Sequence, residues 1–367
     1  MSVTSFSDIL NIVMNVFYVA FFAISFFFSQ RIQTMRISRK VSKALTKLNH
    51  MKDRAKQELI SAIPKDNLNE KNVNARLDRI LQFFTIRPSS MDPAGVIERF
   101  EYLLDNTDTR VKDELKSIVP QADEKQLQNL QNLVEVAQAL NKMYLVLRQY
   151  YLLGKKPGSQ YPMIEIEMQL PNLMEEAEAY VAFTDAFKQG KPIGDGIGPL
   201  TASKLMVEHE KYEVAKETVA SEIRLDGRRV IVMKANGPGG SVGKIGAALQ
   251  NLLRANKGEI SLVIMLDAAL KLEGEDSGSI MEGTGAAIGG PGIGQFKIEE
   301  ITTDYKVPVY AVVVKESVKE VLAPMTAAIV RATDEAVAVF RRVIQEKTKV
   351  NDSIIIVGVG NTMGIGQ

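Results

Sequence analysis

The chain of 367 residues contains no cysteine. That excludes disulfides, thiolate zinc sites, iron–sulfur clusters and cysteine nucleophiles in one step. Histidine is nearly as scarce: His50 and His209 are the only two, and each sits among charged, helix-forming neighbours (Asn49-His50-Met51-Lys52 and Glu208-His209-Glu210-Lys211). Both read as solvated helix surface, which leaves no His-rich metal centre and no Ser-His-Asp triad. Net charge is missing as well, since 45 Lys plus Arg against 44 Asp plus Glu leave +1. No nucleic-acid partner is expected from that balance. Glycine is rare in the first half, where only Gly95, Gly154 and Gly158 precede Gly190, and every other one of the 26 follows. Charge is absent altogether between Asp8 and Arg31.

What is present is unevenly placed. With 46% hydrophobic and 24% charged residues the averages are globular and exclude wholesale disorder. The length favours two or three units. Seven of the 14 phenylalanines (Phe6, Phe17, Phe21, Phe22, Phe26, Phe27 and Phe28) crowd the start. The expected division is an anchor over 1–30, a helical region over 31–153, a linker and helix over 154–189, and a glycine-rich domain over 190–367.

Ile9 to Ser29 is interrupted only by Asn11, Asn15 and Ser25. As a helix this run is about 30 Å long, enough to cross a bilayer core. No basic residue precedes it, which disfavours a signal peptide. Arg31, Arg36, Arg39, Lys40, Lys43 and Lys47 follow it. The positive-inside rule then puts the N-terminus outside and the bulk of the chain in the cytoplasm, with membrane lipid as partner through residues 9–29 and anionic headgroups met by the basic stretch.

Val41, Leu45, Leu48, Met51, Ala55 and Leu59 recur at three- and four-residue steps and predict an amphipathic helix closed by Pro64. A second helix is predicted near Glu70 to Phe84, and Asp92-Pro93 suits the start of a third. Leu127, Leu130, Val134, Ala137, Tyr144, Leu147 and Tyr151 approximate a heptad seam. Its expected use is packing within the chain, with a homo-oligomer or a protein partner as the alternative. Gly154 to Ser159 reads as a linker, and Ile164 to Leu170 as either an edge strand or a helix start.

From Gly190 the texture is strand, glycine loop, helix. Strands are expected over 229–234, 260–266, 307–314 and 353–359, with helices between them, hence a parallel sheet and ligands at the carboxyl ends of its strands. Gly237-Pro-Gly-Gly-Ser-Val-Gly-Lys244 fails as a nucleotide-binding phosphate loop, because Pro238 stands where glycine is needed and Ile245 where a hydroxyl is needed. Gly239, Gly240 and Lys244 remain candidates for holding a carboxylate or phosphate. Glu273, Glu275, Asp276 and Glu282 could ligate a hard cation but read more simply as a solvated loop. No metal and no cofactor is expected.

Leu262-Val-Ile-Met-Leu-Asp267, Glu282-Gly-Thr-Gly through Gly294, and Lys306-Val-Pro-Val-Tyr through Val314 together resemble the core of the spore germination proteases, which share a fold with hydrogenase maturation proteases. Those families keep a Gly-x-Gly-Asn strand end close to an acidic residue before a Gly-Pro-Leu-like helix start. Here Gly358-Val-Gly360-Asn361 closes the domain and Asp195-Gly-Ile-Gly-Pro-Leu200 opens it, an order that a circular permutation would reconcile. The permutation requires Asn361 and Asp195 to meet in space. The resemblance implies an aspartate-dependent peptidase with Asp195 and Asp267 catalytic, and Gly360 and Asn361 shaping the site. Two carboxylates held together can share a proton, one acting as base and the other as acid. The whole chain also resembles an archaeal family of membrane proteins defined by a domain of unknown function. The expected fold class is an α/β C-terminal domain (mostly parallel sheet flanked by helices, phosphorylase/hydrolase-like) preceded by a transmembrane helix and an all-α helical region. The alternative function is a non-catalytic scaffold, or a peptide- or anion-binding module, that oligomerises at the membrane.

Overall fold

The computed structural model describes residues 6–64, 70–86, 95–156, 161–257 and 259–366. Five helices come first: α1 (Phe6–Ser61), α2 (Glu70–Gln82), α3 (Val96–Ile118), α4 (Glu124–Gly154) and α5 (Tyr161–Gln189). The first of them runs without interruption through the apolar stretch and the amphipathic one, and stops before Pro64. Asp123 starts α4 with a reciprocal cap, its Oδ1 accepting from Gln126 N at 2.7 Å while its own N–H donates to Gln126 Oε1 at 3.1 Å. Ile164 to Leu170 lies in helix, not strand, and Pro171 sits inside α5. The predicted cap at Asp92-Pro93 lies outside the described residues, as does part of the linker, but α4 ends at Gly154 and α5 begins at Tyr161.

Two compact units are distinguished, Met1–Lys52 with Asn141–Met174, and Asp53–Leu140 with Glu175–Gln367. In the first, Val41, Leu48, Leu147, Met163, Ile166 and Leu170 are buried. Among the described residues no helix is long and apolar enough to cross a membrane. The expected span is therefore not recovered as such; within α1 the side chains of 6–9, 12, 26, 27, 30 and 31 lie outside the described ones. Those that are described, including Val13, Phe17, Val19, Phe21, Phe22 and Phe28, are exposed.

In the second unit a 3-10 turn (Gly194–Gly196) leads into α6 (Ile197–Met206), followed by β1 (Lys211–Ala215), β2 (Thr218–Leu225), β3 (Arg228–Ala235), α7 (Ile245–Ala255), β4 (Leu262–Leu270), β5 (Ile280–Thr284), α8 (Ile293–Asp304), β6 (Val309–Glu316), α9 (Val318–Leu322), α10 (Ala327–Lys347) and β7 (Ser353–Gly358). They form one sheet in the order β1-β2-β3-β7-β4-β6-β5. The four central strands β3, β7, β4 and β6 are parallel, as expected. The sheet as a whole is mixed and not mostly parallel, because β1 and β2 are hairpin strands antiparallel to their neighbours and β5 pairs antiparallel with β6. The Asp226-Gly227 turn makes the β2–β3 hairpin, with both residues at positive φ, so the chain reverses before any crossover helix can form.

One sheet face packs Val230, Val232, Ile264, Leu266, Ile354 and Ile356 under α6 and α10; the other packs Ile231, Met233, Val263, Met265, Ile355 and Val357 under α7 and α8. Covering both faces explains why these strands are nearly unbroken apolar runs. Each buried side chain of this size contributes about 1.5–3 kcal/mol. His209 is exposed in the turn before β1, with its Nδ1 2.8 Å from Val207 O, so it lies in a turn and not on the helix expected for it.

Candidate active site

The carboxyl ends of the central strands converge on acidic side chains. Asp267 lies on β4, opposite Val313 of β6, and Glu316 is the last residue of β6. Asp195 comes from the 3-10 turn that opens the domain. Three glycines allow that turn to approach the strand ends. A Cβ on Gly198 would fall 2.2 Å from Val359 O and 2.5 Å from Leu266 O, so only glycine lets α6 start this close to β4 and β7. Gly360 has φ +130, and a Cβ there would fall 1.8 Å from Asp195 O. A Cβ on Gly194 would meet the Glu316 carboxylate.

The result joins the two ends of the domain. Asn361 N–H donates to Asp195 Oδ2 at 2.7 Å, the meeting that the order of motifs required. Asp267 accepts from Ala268 N at 2.8 Å and from Gly289 N at 3.0 Å, the latter in the exposed glycine loop after β5. Burial pushes the Asp267 carboxyl up to about 7, the Asp195 charge adds to this, and the two N–H donors hold part of it back. Burial likewise raises Asp195, against the Asn361 N–H that lowers it. Glu316 is fully buried, and neither carboxylate oxygen has a hydrogen-bond partner among the described residues. Burial, then the charges of Asp195, Glu320 and Asp267, push it up to about 8.

Family models match the chain over almost its whole length: a protein of unknown function (DUF1512) N-terminal domain over residues 15–190 and a domain of unknown function (DUF1512) C-terminal over residues 193–366. The chain belongs to the DUF1512 family. No curated protein and no solved structure matches it.

In this DUF1512 chain Asp195, Asp267, Gly360 and Asn361 come together, and Glu316 joins them although the sequence reading passed over it. Its signal was the one that marked Asp267, an acidic residue at the end of an apolar strand. Gly239, Gly240 and Lys244 belong to a neighbouring loop tied to the same corner through Thr362, whose Oγ1 donates to Gly239 O at 2.6 Å and accepts from Ser241 N at 3.2 Å. The loop does not present free amides to an anion. Gly240 N donates to Asn129 Oδ1, Gly243 N to Ser241 Oγ and Lys244 N to Thr218 Oγ1, while Lys244 Nζ pairs with Asp105. Glu275 is paired with Lys315 and Glu282 with Arg342. Among the described residues no group of three or more acidic or histidine side chains is placed to hold a metal ion.

Proposed function

We propose that the DUF1512 chain is a carboxylate-dependent hydrolase acting on peptide bonds, with Asp195 and Asp267 as the catalytic pair. The observation that carries this reading is the convergence of Asp195, Asp267 and Glu316 at the strand ends, with at least one proton retained near neutral pH. A base must be ionised and an acid protonated at the same pH, and carboxyls titrating near 7 meet both needs. Asp267, open on one side to the glycine loop, takes the proton of the attacking water; a protonated partner in the cluster gives one to the leaving amine. Asp195 is fixed by the Asn361 N–H, and Glu316 raises the proton affinity of both. The contact between Asn361 and Asp195 also supports the permuted relationship to the germination and hydrogenase maturation proteases. The N-terminal helix holds this domain at a membrane, cytoplasmic side, with the exposed apolar side chains of α1 facing lipid.

The test is cleavage of a peptide library by the purified chain, read by mass spectrometry. Asp195→Asn and Asp267→Asn each lower the rate by about 10²–10⁴ while leaving the circular dichroism spectrum unchanged. Full activity in both single variants removes the pair from the mechanism. The anion-binding alternative has less support, since the amides and lysine it needs are engaged within the protein.

A further inference from the structure

A second polar space lies on the helical side of the α/β domain. A cavity of about 490 Å³ opens among α3, the first half of α4, the β1–β2 turn and the loop 240–244. Its size is that of small-molecule sites, about 300–1,000 Å³. Charged residues from each element face it: Asp105, Asp108 and Lys112 on α3, Glu135 on α4, Lys216 and Glu217 in the turn, and Lys244 in the loop.

Internal pairing removes most of these charges. Lys244 Nζ donates to Asp105, Lys112 Nζ to Glu124, and Ser241 Oγ to Glu217 at 2.6 Å. What remains is lopsided. The carboxylates of Asp108 and Glu135 have no hydrogen bond or ion pair among the described residues, and the one cavity cation left in that condition is Lys216, which is exposed. Glu135 opens onto the cavity yet is enclosed by protein, and burial, then the Asp108 charge, push it up to about 7. Asp108 is raised by burial, against the pull of Lys244. Tyr180 on α5 also feels Glu135, along with Glu176, and both raise its hydroxyl. Two facing carboxylates with no cation between them destabilise each other, and a ligand cation relieves both.

The sign of the ligand is thereby decided, and its kind follows from the donors. No three acidic side chains among the described residues converge on a metal position, whereas the amides of Gln128 and Asn132 border the space as hydrogen-bonding groups. We propose that this cavity binds an organic cation, an alkylammonium or guanidinium group, between Glu135 and Asp108. Such a group is carried by a free small amine or by a basic peptide side chain. Asn361 borders the cavity and bonds Asp195, so the ligand lies one residue away from the carboxylate cluster. The site goes beyond the hydrolase reading and does not depend on it.

Calorimetric titration of the full chain in detergent with three probes tests this: agmatine, acetyl-Ala-Arg-Ala-amide, and the neutral isostere in which citrulline replaces arginine. The expected result is heat of binding for a cationic probe and none for citrulline, with affinity lowered about tenfold or more by Glu135→Gln. Asp108→Asn gives the same loss and serves if Glu135→Gln does not fold. Tighter binding of the peptide identifies a basic side chain as the source, and tighter binding of agmatine a free amine. Absence of binding by both cationic probes at millimolar concentration, equal affinity for citrulline, or undiminished binding in the variants overturns the proposal. Because the readout is heat and not turnover, failure here leaves the hydrolase reading standing, and failure of cleavage leaves this one standing.

Discussion

Glu316 shows most directly what the carboxylate cluster costs. Its carboxyl is buried with neither oxygen satisfied, and it is pushed up to about 8 from an ordinary value near 4.5. A folded-state pKa above the unfolded one contributes stability that is fully present below the unfolded value and is lost as pH rises through the folded value. Between about pH 4.5 and 8 the native state therefore loses on the order of 3–5 kcal/mol from this group. Asp267 adds a loss of the same sign, complete by a lower pH. Glu316→Gln removes the first of these while keeping shape and volume. We expect the variant to gain stability relative to the parent steadily from pH 5 to pH 9, by chemical denaturation. Parallel pH curves for the two proteins would exclude an energetically raised Glu316. Lys234 is the mirror case: fully buried on β3, with its Nζ donating to Ala235 O at 3.1 Å, it is pulled down to about 8 by burial and by Lys211.

At the scale of elements, the site depends on how closely α6 meets β4 and β7. Gly198→Ala places a methyl group against two backbone carbonyls, and backbone cannot swing aside as a side chain can. We expect a loss of about 1–3 kcal/mol, from the overpacking of a tight contact. Gly283→Ala, with open space around its Cα and no positive φ, is the matched control and should be near neutral. A lowered denaturation midpoint in the first and not the second checks this; equal midpoints would mean that the turn can retreat freely. The four parallel strands were legible because strands buried on both faces become continuous apolar runs, as in Ile354 to Val357. The outer strands were not. β1 and β5 lie at the edges, expose polar residues, and have no continuous apolar run to find. The Asp226-Gly227 hairpin signal was present but sat between charged residues, Arg224 and Arg228. Asp195, Asp267 and Asn361 could be named from motif order alone. Glu316 and the cavity around Glu135 could not, because both arise from residues far apart in the chain that only the fold assembles.

At the scale of the whole molecule, the open question is where the first turns of α1 reside. Val13, Phe17, Val19, Phe21, Phe22, Ile24 and Phe28 are all exposed, and at 3.6 residues per turn these positions are spread around the helix and not gathered on one stripe. A helix apolar on every side matches lipid better than water or a single groove. The basic residues from Arg36 to Lys47 then lie at the headgroup level. Placing a lysine near the centre of such a helix costs about 2.5–3.5 kcal/mol on insertion. Phe21→Lys with Phe22→Lys should therefore release the chain from membranes, whereas the same pair of substitutions at exposed Glu273 and Glu299 should not. The measurement is flotation with vesicles containing anionic lipid, followed by carbonate extraction. Retention of the parent on the vesicles through high pH, with loss in the phenylalanine variant, is the expected outcome. If the parent is itself extracted, or the double variant floats equally well, the exposed face of α1 is covered by something other than a bilayer.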